Sequence, residues 1–119
     1  MKSLVLLMIV VLIISGCSSA TRPPGQVVAS KNNFENGVKQ YERGHIKQAI
    51  HQFEKAIEKN PANFKAYFYL GLCHKQKGTP KAALKNFQKA IDLNRNDQSW
   101  VTKVKAEMEA PGRKKGKKK

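Results

Sequence analysis

The chain is short of acid: among its 119 residues, 8 Asp and Glu stand against 23 Lys and Arg, a formal charge of +15. It is also short of cysteine, and two thiols make neither the disulfide framework of a small secreted domain nor a four-thiolate zinc site. Aromatic residues are sparse, with five Phe, three Tyr and one Trp. The length is close to one domain, which excludes a large multidomain enzyme. Catalytic groupings are missing as well. His45 falls at a turn, His51 on a helix face and His74 beside Cys73, and none is spaced i, i+4 from another His or a carboxylate. Cys73 and His74 are adjacent, so on a helix they point about 100° apart and cannot pair as nucleophile and base; Cys73 is expected to fill a small buried slot. Without paired carboxylates, a glycine-rich phosphate loop or a triad, the chain is read as non-enzymatic, with no metal and no free cofactor.

At the amino end Lys2 is followed by an unbroken apolar run from Leu4 to Ile14. That is about half of the ~20 residues that cross a bilayer, so it fits a secretory signal better than a transmembrane helix. The run ends in Ile14-Ser15-Gly16-Cys17, an aliphatic residue and two small ones before a cysteine. This resembles the lipobox of bacterial lipoproteins. The resemblance implies a signal peptide over residues 1–16 and a mature chain starting at Cys17, with diacylglyceryl on its sulfur and an acyl chain on its amino group. Several acyl chains anchor stably, at about 0.8 kcal/mol per buried methylene. Ser18 stands where an inner-membrane retention signal would have Asp, so a lipid anchor in the outer membrane facing the periplasm is expected if the envelope has two membranes.

Residues 17–30 contain Arg22-Pro23-Pro24-Gly25 and read as a tether, up to about 40 Å long if extended. From Lys31 to Ala110 the composition is helical, and Pro111-Gly112 ends it. The last seven residues, Arg113, Lys114, Lys115, Gly116, Lys117, Lys118 and Lys119, are expected to form a disordered basic tail within 111–119. Between these ends lies a repeat of period 34: Gly37 aligns with Gly71, Gly44 with Gly78, Ala49 with Ala83, Phe53 with Phe87, Ala56 with Ala90 and Ile57 with Ile91. Phe34 with Phe68 and Ile50 with Leu84 follow the same offset. Such a period means stacked supersecondary units, each too small to bury its own apolar face.

Each unit reads as two helices. Ile46, Ala49, Ile50, Phe53, Ala56 and Ile57 form a one-sided stripe, Asn63 can cap the next helix, and Thr79-Pro80 offers a capping hydroxyl before a first-turn proline. Asn96-Asp97 can cap a last helix bearing Trp100, Val101, Val104 and Met108. The expectation is all-α: repeats at about 30–63 and 64–97, then a capping helix at 97–110.

Gly37, Gly44, Ala49, Phe53, Ala56 and Pro61, repeated as Gly71, Gly78, Ala83, Phe87 and Ala90, resemble the tetratricopeptide pattern. The first unit departs from it, with Asn33 and Asn36 where Tyr67 and Leu70 stand in the second, and Arg95 replaces a proline. The resemblance implies a superhelical fold with ligands in a groove lined by the first helix of each unit. Phe34, Val38 and Tyr41 share one face, and their counterparts are Phe68, Leu72 and Lys75, with Thr102 and Ala106 continuing the series on the cap. Lys31 and Lys65 stand at the rim. Phe68 and Leu72 also lie in the apolar run Tyr67–Cys73, where they could equally pack between helices. The family's carboxylate-clamping mode is not expected, because Val38, Leu72 and Phe68 occupy the positions of its asparagines and lysines.

The function this implies is a lipid-anchored, non-catalytic adaptor that holds a segment of another envelope protein. The alternative is a polyanion binder. Lys81, Lys85 and Lys89 form an i, i+4, i+8 stripe that, with the six cations of the tail, could meet anionic lipid or an envelope polymer. Nucleic acid is disfavoured by the expected compartment. Two units and a cap are at the lower edge of what such arrays need, so self-association through the trough is a further expectation.

Overall fold

In the computed structural model, which describes residues 23–112, the stripes become five helices: α1 (Pro24–Glu42), α2 (Ile46–Lys59), α3 (Phe64–Lys77), α4 (Pro80–Leu93) and α5 (Gln98–Glu109). No strand occurs among the described residues. α1 packs on α2 and α3 on α4, each pair joined by a short turn that contains a glycine in the left-handed region, Gly44 at φ 79° and Gly78 at φ 80°. The two turns between pairs are closed by side chains. Asn63 accepts from the Ala66 N–H at 3.1 Å and Asp97 from the Trp100 N–H at 3.1 Å, each satisfying a first-turn donor.

The repeat is built on a ring lying against a backbone. Phe53 and Phe87 are fully buried, and each presses its edge onto the α-carbon of the glycine one helix away. A methyl group on Gly37 would stand 2.6 Å from Cε1 of Phe53, and one on Gly71 2.5 Å from Cε1 of Phe87. Ala49 and Ala56 flank the first ring and Ala83 and Ala90 the second, so the helices approach closely on both sides.

Two cores result, and α3 serves both. Ala66, Leu70 and Cys73 join Ala49, Phe53 and Ala56 in the first core. Phe68 faces the other way, into a core with Phe87, Ile91, Val101 and Val104. That double duty explains why α3 is apolar nearly all round, whereas α2 carries one stripe. α5 closes the second core with Val101 and Val104, and the Trp100 indole N–H donates to the Ala90 carbonyl at 3.2 Å. Among the described residues, no helix is long and apolar enough to cross a membrane.

Two expectations need correction. The segment up to residue 30 is not all tether, because α1 starts at Pro24. Proline is accepted in a first turn, where no N–H is required, so Pro23-Pro24 opens a helix here. Ser30 then fixes that extension. It is 1% exposed, and its hydroxyl donates to the Ala56 carbonyl at 2.8 Å. The second correction concerns Thr79, whose hydroxyl donates backwards to the His74 carbonyl at 3.1 Å and makes no cap bond to α4. Residues 1–22 and 113–119, on which the expected signal peptide, the expected lipid attachment at Cys17 and the expected disordered tail fall, lie outside the described residues.

Two outcomes follow from this packing. Gly71→Ala should lower stability by about 1–3 kcal/mol through overpacking, while Gly25→Ala, with open space around it, should leave the melting midpoint unchanged or slightly raised. Thermal unfolding of both variants measures this. Cys73 is wholly buried, and loss of water around it pushes its thiol up to about 12 from the usual 9.0. The unfolded chain therefore gives up this proton first as pH rises. Stability should fall between pH ~9 and ~12, and a Cys73→Ala variant should lack that part of the slope in denaturant titrations.

Candidate functional site

The first helices of the two units and the cap, α1, α3 and α5, lie side by side. α1 and α3 run in the same direction, since Phe34 meets Tyr69 and, two turns on, Tyr41 meets Gln76. Between them is a groove that opens into a cavity of about 520 Å³, walled by Phe34 and Val38 of α1, Phe68 and Tyr69 of α3, and Trp100 of α5. Lys39, Lys65 and Lys103 border it, together with Glu35.

The floor is a connected set of rings. Tyr69 is the hub: it stacks on Phe53 at 5.3 Å and meets Phe34, Tyr41 and Phe68 edge to face at 5.6, 5.6 and 5.8 Å between centroids. Phe68 continues to Trp100 at 5.2 Å and to Phe87 at 5.8 Å. Edge-to-face contacts of this kind add about 0.5–1.5 kcal/mol each beyond burial, so the floor is stiff before any ligand arrives. The Lys103 ammonium lies over the rings of Phe68 and Trp100, 5.5 and 5.9 Å from their centroids.

Not all the residues expected in the groove have the same role. Phe34 and Val38 line the cavity while half-buried. Phe68 is 6% exposed and belongs mainly to the core, showing the groove only an edge. Tyr41, Leu72 and Lys75 lie further along, around a smaller cavity of about 110 Å³. There the Tyr41 hydroxyl accepts from Gln76 Nε2 at 2.8 Å, and burial raises its phenol above the ordinary value. Lys75 is not a rim cation. Its side chain is 13% exposed, and its Nζ donates to both the carboxylate, at 3.3 Å, and the backbone carbonyl of Glu107. α5 thus bridges this half of the groove and neutralises the lysine in doing so. Lys31 pairs with Glu35 at 3.9 Å and borders a neighbouring cavity of about 410 Å³, which it shares with Lys65 and Phe34.

Sequence reasoning missed Tyr69, Trp100, Lys39 and Lys103. Glu35, Tyr69 and Lys103 stand at one repeat position, beside that of Phe34 and Phe68, but their chemistry differs from unit to unit and gives no periodic signal. Thr102 and Ala106, expected to extend the groove, are exposed and do not line the cavity.

On the other side, Lys81, Lys85 and Lys89 are exposed along α4, and Lys85 and Lys89 border a cavity of about 490 Å³ with Tyr67 and Asp92. No cluster of three or more His, Cys, Asp or Glu side chains able to hold a metal ion occurs among the described residues. His45 and His74 hydrogen-bond at their turns, to Gln40 at 2.9 Å and Thr79 at 3.0 Å.

Comparison with curated proteins gives no match. Residues 34–98, more than half of the chain, match the family described as Tetratricopeptide repeat. The matched span runs from the first groove aromatic to the first residue of α5 and covers both ring-on-glycine contacts. Repeats of this kind generally mediate protein–protein interaction and are typically non-catalytic scaffolds. With its paired helices, its 34-residue period and this match, the chain belongs to the tetratricopeptide repeat family.

Proposed function

We propose that this protein is a lipid-anchored adaptor of the bacterial cell envelope that holds a segment of another protein in the groove between α1, α3 and α5. The observation that carries the binding part is the groove itself: a preformed aromatic floor with an open cavity of about 520 Å³, in a family that serves as interaction scaffolds. The anchoring part rests on the sequence Ile14-Ser15-Gly16-Cys17 after an apolar run, with diacylglyceryl and N-acyl chains on Cys17. No catalytic step is assigned.

The exposed lysines of α4 support a second reading, in which Lys81, Lys85, Lys89 and the tail from Arg113 to Lys119 grip anionic lipid or an envelope polymer and the groove is structural. The two make opposite demands on the chain.

In cell fractionation, the full chain should sediment with membranes, and Cys17→Ser should abolish acylation and leave residues 1–16 attached. Mass spectrometry of Cys17 should show the acyl chains; an unmodified cysteine would remove the anchoring proposal. Removing residues 113–119 should leave partner capture intact, while Phe34→Ala with Tyr41→Ala should weaken it by tenfold or more, as expected on losing about 1.4 kcal/mol or more of contact. The reverse pattern, in variants shown by circular dichroism to remain folded, would favour the polyanion reading.

A further inference from the structure

The groove contains more positive charge than its own carboxylates balance. Lys39, Lys65 and Lys103 are exposed at its edge, and among the described residues none has a carboxylate within ion-pair distance. Glu35, the acid in the same wall, already pairs with Lys31. The further half of the groove is different, because Lys75 is held by Glu107 there. Three cations without a carboxylate partner therefore border the aromatic cavity, and each comes from a different helix.

Resting on the reading of the groove as a peptide site, we propose that its ligand is a short acidic segment that places one aromatic or large aliphatic side chain in the cavity, with carboxylates on either side reaching Lys39, Lys65 and Lys103. Charge complementarity selects the acid. Three ammonium groups around a low-dielectric aromatic floor attract carboxylates and repel a basic segment. The cavity selects the anchor, since about 520 Å³ walled by rings is room for a large apolar side chain and part of its backbone. The bridge from Lys75 to Glu107 selects a short segment, because it closes the path along the groove beyond Tyr41 and Leu72.

A single-stranded nucleic acid also presents anions and flat apolar groups, but the floor suits it poorly. Base binding uses open ring faces for stacking. Here Phe34 and Phe68 turn edge to face against Tyr69 at 74° and 83°, and Lys103 covers Phe68 and Trp100. Side-chain insertion needs no free face.

The one tryptophan of the chain stands in the cavity wall, so its emission reports occupancy directly. The full chain in detergent is titrated with three end-blocked heptapeptides: Asp-Glu-Asp-Phe-Asp-Glu-Asp, the same peptide with Lys and Arg flanks, and one with Ser and Asn flanks. A thymidine oligonucleotide serves as a second anion. The acidic peptide should shift Trp100 emission saturably and bind at least tenfold more tightly than the other two. Lys65→Gln and Lys103→Gln should each weaken it by about tenfold, the size expected on losing one complementary charge, while Lys85→Gln on the opposite side should not. All three lysines are exposed, so these variants keep the fold. If the neutral or basic peptide binds as tightly, the acid preference is wrong and the groove reading stands. Should no peptide change the emission, both are wrong. If the oligonucleotide binds with the same lysine dependence and the acidic peptide does not, the occupant is a nucleic acid and the proposal is overturned.

Discussion

Everything in this domain is spaced by an aromatic ring resting on a glycine α-carbon. Phe53 against Gly37 and Phe87 against Gly71 set how closely the two helices of each unit approach, and the contact distances leave no room for even a methyl group. Because the rings sit so deep, the helix between them is exposed to apolar neighbours on two sides. α3 can then give Ala66, Leu70 and Cys73 to one core and Phe68 to the other. The same placement carries Tyr69 onto Phe53 and so links the core to the groove floor. Core and groove share one set of rings, and the groove's shape is fixed by contacts that also hold the fold.

Much of this architecture was legible in the sequence because it repeats. The pairs at offset 34 mark the contacts that every unit must make, and those contacts are where the structure places the rings, the glycines and the small alanines. Asn63 and Asp97 were legible for a local reason, since a cap needs only a short polar side chain before a helix. Signals that depend on one unit alone were harder to read. Pro23-Pro24 reads as linker in a string of letters. It opens α1 because Ser30 finds a buried carbonyl on α2, a long-range fact with no local trace. Thr79 has cap chemistry but spends its hydroxyl on His74.

The groove was half legible for the same reason. Phe34, Val38 and their counterparts follow from periodicity, whereas Glu35, Tyr69 and Lys103 share a position and nothing else. Where units differ in residue type, the array stops being generic, and the charge and the central ring of the cavity both come from such positions. Lys75 shows how context reverses a reading. As the counterpart of Tyr41 it suggests a groove cation, yet α5 brings Glu107 onto it and leaves a neutral bridge. The cap helix thus does two unrelated things: it covers the second core with Val101 and Val104, and it decides which part of the groove stays open.

The start of α1 at Pro24 has a further geometric consequence. Along α1 the distance from Pro24 to the level of Tyr41 is roughly 25 Å at 1.5 Å per residue. Gly112 lies against the Lys75 carbonyl, on the Tyr41 side of that length. The polypeptide therefore enters at one pole of the domain and leaves at the other. The two ends of the described fold are thus disposed to meet different surroundings.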